Sequence, residues 1–369
     1  AMSYGALSRN AVLALNEGAR LGGFAHNTGE GGLSSYHRKP GGDLIWQVGT
    51  GYFGCRQRDG TFDPGAFAEK ATLDQVKMIE IKLSQGAKPG HGGILPAAKV
   101  TEEIATIRGV PMGRDVVSPP GHTAFSSPTG LLEFVARLRE LSGGKPVGFK
   151  LCVGIKSQFL AIGKAMLETG LRPDFITVDG SEGGTGAAPI ELTNSVGTPM
   201  RDGLAFVHSA LLGINVREDV RLIAAGKVIS AFHMLRTMAL GADMINAARA
   251  MMFALGCIQA RHCNANTCPT GVDTQDPVRY RQLDVADKAR RVAHYHTSTI
   301  HAMLELLSSA GFRDPSEIRP EHCFRRVDGP EIRSYAELYP CLDRGSLTGG
   351  TVPEAWREDW ERARATSWD

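Results

Sequence analysis

Short apolar runs alternate along this chain with stretches of helical periodicity, and glycine clusters at the ends of the runs. Ala11 to Leu21 reads as a helix closed by Gly22 and Gly23. Met78–Leu83 reads as a strand that leaves into a glycine- and lysine-bearing loop, and Asp115–Val117 as another, stopped by Pro119 and Pro120. A helical stretch from Leu131 to Leu141 leads into a strand over 147–153, and Lys156–Thr169 is helical again. Phe175–Gly180 is an apolar strand with a glycine-rich exit, and 220–225 and 244–248 repeat the pattern, each followed by a helix. Strand, loop and helix in this alternation imply parallel strands joined by crossover helices. About eight such units fit a (β/α)8 TIM barrel better than the competing doubly wound open sheet.

Two regions interrupt the rhythm. Residues 24–66 are long, glycine-rich and irregular, and read as an inserted excursion. Residues 257–285 form a cysteine-bearing loop after the last strand. A helix over 286–311 follows, and the tail is polar and short of core, with Trp356 and Trp360 spaced to pin a small terminal helix. The expected division is a barrel over 1–311, cysteine loop included, and a polar C-terminal extension over 312–369.

In a barrel of this class the chemistry sits where strands end. The unusual residues gather there: Gln85 and Lys88, Lys150, Asp179 to Gly186, Gly226, and Ala247 to Arg249. Lys150 lies inside an otherwise apolar strand, where a buried cation needs a partner. One use is to face an electron-rich ring and stabilise negative charge on it; the other is a structural ion pair. Gly183 and Gly184 belong to a glycine-rich exit whose bare backbone lets a flat ligand approach. Gly226 with Lys227, and Ala247 with Arg249, occupy the two strand exits that commonly bind phosphate in such barrels. Gln85, Lys88 and Arg108 together could grip a dicarboxylate, or each could be a solvated surface residue. Walker, Rossmann and Gly-x-Ser-x-Gly patterns are missing from the sequence, and its eleven histidines show no zinc spacing.

With 41 basic and 39 acidic residues the net charge is +2, which gives no reason to expect nucleic acid as a partner. A hydrophobic fraction of 42% supports a sizeable core, and no run is long and apolar enough for a transmembrane helix. The first residues do not read as a signal peptide but as the end of a strand, so an anchor in a preceding segment is compatible with the sequence. Seven cysteines, an odd number, suit a reducing cytoplasm better than a disulfide framework.

Three of them, Cys257, Cys263 and Cys268, fall within twelve residues, and Pro269 follows the last. A Cys-Pro ending is a feature of ferredoxin-type loops, and a three-iron cluster needs only three thiolates. Zinc with His262 as a fourth ligand is a second reading, and buried or disulfide-bonded cysteines a third.

Taken together, these stretches resemble the FMN-binding domain of glutamate synthase over most of residues 1–285. The segments that carry the resemblance are Asn27 to Gly32, Ile81 to Gly90, Gly183 to Ala187 and the cysteine loop, in the family's order. The resemblance implies an FMN barrel beside a [3Fe-4S] cluster held by Cys257, Cys263 and Cys268. It implies an oxidoreductase acting on CH-NH2 donors, in which reduced flavin gives hydride to 2-iminoglutarate, formed from 2-oxoglutarate and ammonia, to make L-glutamate. By the same resemblance Lys150, Met2, Ser3, Gln47, Gly183 and Gly184 fall to the flavin; Asp179, Gly226, Ala247 and Arg249 are assigned to it from their strand exits. Gln85, Lys88 and Arg108 fall to 2-oxoglutarate, and Lys82, Lys88 and Glu30 to catalysis, Glu30 near the ammonia path. The implied electron donor is ferredoxin or a separate NAD(P)H-oxidising subunit.

The sequence departs from the family in one segment. Where the family reads Pro-Gly-Glu-Gly-Gly-Gln, this chain has Pro89, Gly90, His91, Gly92, Gly93 and Ile94, so a carboxylate and an amide give way to an imidazole and an apolar group. No cysteine heads the chain as a glutaminase nucleophile would. The amine is therefore expected from a separate source, such as a glutaminase subunit, or from methylamine, as in N-methylglutamate synthase-like enzymes. A redox module that makes no amino acid is the reading from outside enzymology.

Overall fold

Residues 1–183 and 188–368 are described by a computed structural model, and statements of number or absence below refer to them. The first helix, α1 (Arg9–Gly22), starts where the Ser8 hydroxyl accepts the Ala11 N–H, and stops at Gly23 with φ +69°. The region expected to be an excursion instead supplies two barrel strands. It runs β1 (His26–Asn27), α2 (Ser35–Arg38), β2 (Leu44–Val48) and α3 (Pro64–Ala71), and β3 (Val76–Lys82) follows. Every residue of β1 and β2 is buried. Two of their polar members, Asn27 and Gln47, point into the barrel and donate to Glu80 there, which removes the apolar signature of a strand.

The strand expected over 115–117 forms, but outside the barrel. After β4 (Ile94–Leu95) and α4 (Glu102–Arg108) comes β5 (Val116–Val117), which pairs antiparallel with β4 as a small ribbon. Val117 is 63% exposed, so this segment has only one apolar face to bury. The rest follows the alternation read from the sequence. It comprises α5 (Pro128–Leu141), β6 (Val147–Leu151), α6 (Lys156–Thr169), β7 (Phe175–Asp179), α7 (Met200–Gly213), β8 (Arg221–Ala225), α8 (Ala231–Ala239), β9 (Met244–Asn246) and α9 (Arg249–Leu255). Beyond the cysteine loop lie α10 (Pro277–Tyr280), α11 (Val285–Ser309), the hairpin β10 (Phe324–Asp328) and β11 (Glu331–Ser334), α12 (Tyr335–Leu338) and α13 (Glu354–Arg362).

Seven strands form one parallel sheet in the order β1-β2-β3-β6-β7-β8-β9, which is chain order. Two observations show that it curls as a (β/α)8-class barrel. Thr177 on β7 donates to Glu80 on β3 at 2.6 Å, although β6 lies between them in the sheet. A second hydrophobic cluster joins α1 to α9 and α11 through Val12, Leu15, Met251, Leu255 and Val292, so the helices of both sheet ends meet. The Met2 N–H donates to the Asn27 carbonyl at 2.9 Å, alongside the free edge of β1.

The main core lies between the sheet and helices α3, α5, α6, α7 and α8. Trp46 stacks on Phe67 at 5.2 Å, and both are fully buried; each such side chain contributes on the order of 2–3 kcal/mol through lost water contact. The C-terminal extension is less poor in core than its composition suggested. Leu347, Ala363 and Ala365 join the main cluster, Trp356 stacks on Phe206 at 5.0 Å, and Lys164 lies over the Trp360 ring. No helix among the described residues is long and apolar enough to cross a membrane.

Candidate functional site

Inward positions on neighbouring strands come in layers. In the deeper layer Glu80 accepts from the amides of Asn27 (2.8 Å) and Gln47 (2.5 Å) and from Thr177. Three donors converge on one carboxylate, a satisfied polar floor. Gln47, assigned above to the flavin, has its amide committed to this floor. Two residues further along the same face comes Lys82, whose register partner on β6 is Lys150. These two lysines form the layer at the barrel mouth.

Lys82 pairs with Glu30 at 2.9 Å and donates to the Gln85 side-chain oxygen at 3.1 Å. Glu30 sits on the loop after β1, between Gly29 (φ +66°) and Gly31, where a Cβ would come within 2.9 Å of an Arg108 nitrogen. Burial pushes the Glu30 carboxyl up, but Lys82, with Arg108 and Lys88 beyond it, outweighs burial and holds it below the usual carboxylate range. Lys88 is 4% exposed; burial, then repulsion from Lys82, lowers its pKa despite Glu30. Arg108 is 5% exposed, lies over the Phe53 ring at 5.0 Å and donates to the Tyr4 carbonyl; burial brings it down to about 10. Three cations thus surround one carboxylate. The Gln85 side-chain N–H2 and the Arg108 Nε are buried without a hydrogen-bond partner. Beside them opens a recess whose wall includes Glu30, Lys82, Gln85, His91 and the prolines 119 and 120.

The second lysine has quieter surroundings. Lys150 pairs with Asp179 at 3.2 Å, and Asp179 also accepts the Gly86 N–H at 3.0 Å. Burial alone would lower the Lys150 pKa, but Asp179 and then Glu80 overcome it and raise it. Gly86 has no alternative: a Cβ there would lie 1.7 Å from the Gly180 carbonyl oxygen. Gly183 borders the pair, with room for a Cβ only 2.9 Å from an Asp179 oxygen and 3.7 Å from the Gly226 Cα. Gly226 itself has φ +154° and Lys227 φ +47°. These bare, close-set backbones beside a buried Lys-Asp pair fit a flat cofactor with an anionic tail. Ala247 and Arg249 bracket the exit of β9, Arg249 opening α9, and Met2 and Ser3 lie beside the loop that carries Gly29. Gly184 lies outside the described residues.

The cysteine loop starts after α9, where Gly256 (φ +102°) turns the chain, and non-glycine residues Gln259, Arg261 and Asn266 also adopt positive φ. All seven cysteines of the chain are free. Burial, then Asp273, pushes the Cys263 thiol up to about 11; Cys268 and Cys257 add to this, so the three sulfurs lie within electrostatic reach. Asp273 is ion-paired with Lys99. Among the described residues no group of three or more His, Cys, Asp and Glu side chains is placed to hold a metal ion. Three free, soft thiols on one loop nevertheless match, in donor type, what an iron–sulfur cluster takes.

Some participants carried no sequence signal. Glu80 and Thr177 are ordinary polar residues until the barrel brings them together, and nothing in the wording of the Ile81–Gly90 segment showed what Gly86 packs against. His122, one histidine of eleven in the sequence, bridges Tyr52 and Lys82.

A sequence profile of the conserved region in glutamate synthase matches residues 1–313. The glutamate synthase large subunit-like protein YerD of Bacillus subtilis is 44% identical over 334 residues, covering 90% of this chain and 63% of that protein. The archaeal glutamate synthase [NADPH] of Methanocaldococcus jannaschii is 35% identical over 319 residues, covering 86% and 59%. Among solved structures, a variant flavocytochrome b2 with pyruvate bound aligns with a TM-score of 0.48 at 12% identity, over 87% of this chain and 68% of that one. The chain therefore spans about three fifths of the length of these two relatives. With a match that runs through both lysine pairs and the cysteine loop, the chain belongs to the glutamate synthase family.

Proposed function

We propose that this protein is a flavin and iron–sulfur oxidoreductase that reduces 2-iminoglutarate, formed from 2-oxoglutarate and ammonia, to L-glutamate. The observation that carries the reading is the charge around Glu30, which lines the recess with Lys82 and Gln85. Lys82, Lys88 and Arg108 oppose the single carboxylate of Glu30, and the Gln85 amide has an unspent donor. Uncompensated buried cations are unfavourable unless an anion joins them, and a dicarboxylate supplies two negative charges with acceptors for those donors.

FMN, held beside Lys150, Asp179, Gly183 and Gly226, would supply the hydride. Lys150 sets the charge beneath its ring, and Asp179 keeps that lysine in place. Arg108, Lys88 and Gln85 fix the carboxylates of the substrate and so hold its reacting carbon in one orientation. Lys88, with its lowered pKa, gives up a proton more readily than a solvated lysine and serves as the acid in the recess. Glu30, kept ionised, offers a berth for an ammonium ion. Cys257, Cys263 and Cys268 would hold a [3Fe-4S] cluster that relays single electrons. The donor is ferredoxin or an NAD(P)H-oxidising subunit; the Methanocaldococcus jannaschii relative carries NADPH in its name. Free thiols throughout suit a cytoplasmic setting.

One observation favours N-methylglutamate formation as a second reading: His91 and Gly92 line the recess, in the segment that departs from the family wording. Protein purified without oxygen is expected to show a flavin spectrum with a broad visible shoulder. It is expected to convert 2-oxoglutarate and ammonia to glutamate with an artificial reductant. Turnover with methylamine but not ammonia selects the second reading, and a colourless protein rejects both. Cys263→Ser is expected to lose the shoulder and the iron; unchanged iron content refutes the ligand assignment.

A further inference from the structure

We propose that His122 is a positioning residue whose ring, spanning Tyr52 and the Lys82 carbonyl, fixes Lys82 and the recess wall against which the dicarboxylate is read. The inference rests on the substrate reading above.

His122 sits on the loop between β5 and α5, directly after the Pro119-Pro120 wall of the recess. Its Nε2 lies 2.9 Å from the Lys82 carbonyl oxygen and its Nδ1 lies 3.0 Å from the Tyr52 hydroxyl. A carbonyl can only accept, so the proton belongs on Nε2, and the bare Nδ1 accepts from Tyr52. The Tyr52 oxygen in turn accepts the Ala124 N–H at 3.1 Å. This chain of partners admits one tautomer and one ring orientation. Phe125, stacked at 5.0 Å and 20°, holds the ring plane. Burial keeps the imidazole neutral by bringing its pKa down to about 4, against weaker upward pulls from the Lys82 carbonyl and Glu30.

The bond falls where the sheet stops supporting Lys82. Ile79 and Leu83 donate toward β6, to the carbonyls of Pro146 and Lys150 at 2.9 Å, so the Lys82 carbonyl points the other way, toward β2, which ends at Val48. Lys82 is the last residue of β3, and its carbonyl takes its hydrogen bond from the imidazole instead. The loop that carries His122 is tied down twice more, by Thr50 to the Pro119 carbonyl at 2.6 Å and by the Ser118 N–H to the Gly93 carbonyl at 2.8 Å. Recess wall and ion-pair strand therefore share one pin. Loosening it lets Lys82 and Glu30 drift relative to Gln85 and weakens the grip on the dicarboxylate.

The test uses two substitutions in the holoprotein. His122→Phe keeps the stacking ring and removes both nitrogens. It is expected to raise the KM for 2-oxoglutarate about tenfold, the worth of one buried hydrogen bond, with kcat at saturation little changed. His122→Gln places an amide N–H where Nε2 stood, and is expected to recover most of that loss. An unchanged KM in His122→Phe, or a glutamine variant no better than the phenylalanine one, overturns the proposal. Nitrogen-15 histidine spectra give a readout that does not depend on substrate. The resonance missing from His122→Gln is expected to report a protonated Nε2 and a bare Nδ1 at neutral pH, and an Nδ1–H tautomer or a charged ring overturns the pin. A wild-type holoprotein that neither binds nor turns over 2-oxoglutarate refutes the substrate reading, and the tautomer spectra then decide the pin alone.

Discussion

Lys82 and Lys150 are register partners on neighbouring strands, and each faces a carboxylate. Their surroundings set them apart. Asp179 receives Lys150 and the Gly86 N–H in a closed, balanced nest, whereas Glu30 must answer Lys82, Arg108 and Lys88 beside an open recess. One pair is balanced in charge; the other is left wanting an anion. A buried ion pair by itself says little about chemistry. Its unbalanced neighbours are what point to a ligand.

The difference can be broken most forcefully by removing each lysine in turn. Lys150→Ala strands Asp179 in the interior and is expected to lose about 3–5 kcal/mol of stability, together with bound flavin. Lys82→Ala leaves Glu30 with Arg108 and Lys88, so flavin content should hold while turnover of 2-oxoglutarate falls about a hundredfold. Denaturant titration and flavin absorbance, read beside turnover, separate the two outcomes. The same phenotype in both variants would erase the distinction.

Next in size is Gly86→Ala. Its new methyl group would collide with the Gly180 carbonyl, a backbone atom that cannot swing aside, and a loss of about 3 kcal/mol or more is expected in chemical unfolding. Wild-type stability in that variant would mean that the nest around Asp179 is looser than its distances say.

Lys88→Met sharpens the contrast from the other side. A methionine of similar length removes a buried cation from a crowded site, so the free protein should gain about 1–2 kcal/mol. The KM for 2-oxoglutarate should rise at least about tenfold. A gain in melting temperature with unaltered KM would make Lys88 structural only.

The smallest effects concern pH, and their signs are opposite. Glu30 has a folded pKa below its ordinary 4.5, so its contribution is present above that value and is lost as pH falls through the lower folded one. Lys150 has a folded pKa above its ordinary 10.5, so its contribution is present below that value and fades as pH rises through the higher one. Stability curves of Glu30→Gln should therefore flatten on the acid limb, and those of Lys150→Met on the alkaline limb. His37 adds acid sensitivity in both, because burial takes its pKa from 6.5 to about 4, so stability is withdrawn as pH falls across that window.

Much of this was legible before any coordinates. The strands at 147–151 and 175–179 and the helix Lys156–Thr169 stood out because their residues are apolar and bounded by glycine or charge. Lys150 stood out as a cation in such a run. The strands β1 and β2 did not, because Asn27 and Gln47 spend their polarity on Glu80, and pairing across 53 and 33 residues leaves no trace in local hydrophobicity. Gln85, Lys88 and Arg108 were named from their donor chemistry and again through resemblance. That they outnumber their counter-charges required knowing that Glu30 alone stands among them.

Of the four tryptophans, Trp46 lies in the barrel core and the other three, Trp356, Trp360 and Trp368, in the C-terminal extension that wraps α5 to α7. The chain thus carries separate optical reporters for its two ends. Ultraviolet emission from a Trp46→Phe protein would follow the wrap alone, and would reveal whether it peels from the barrel before the barrel itself gives way.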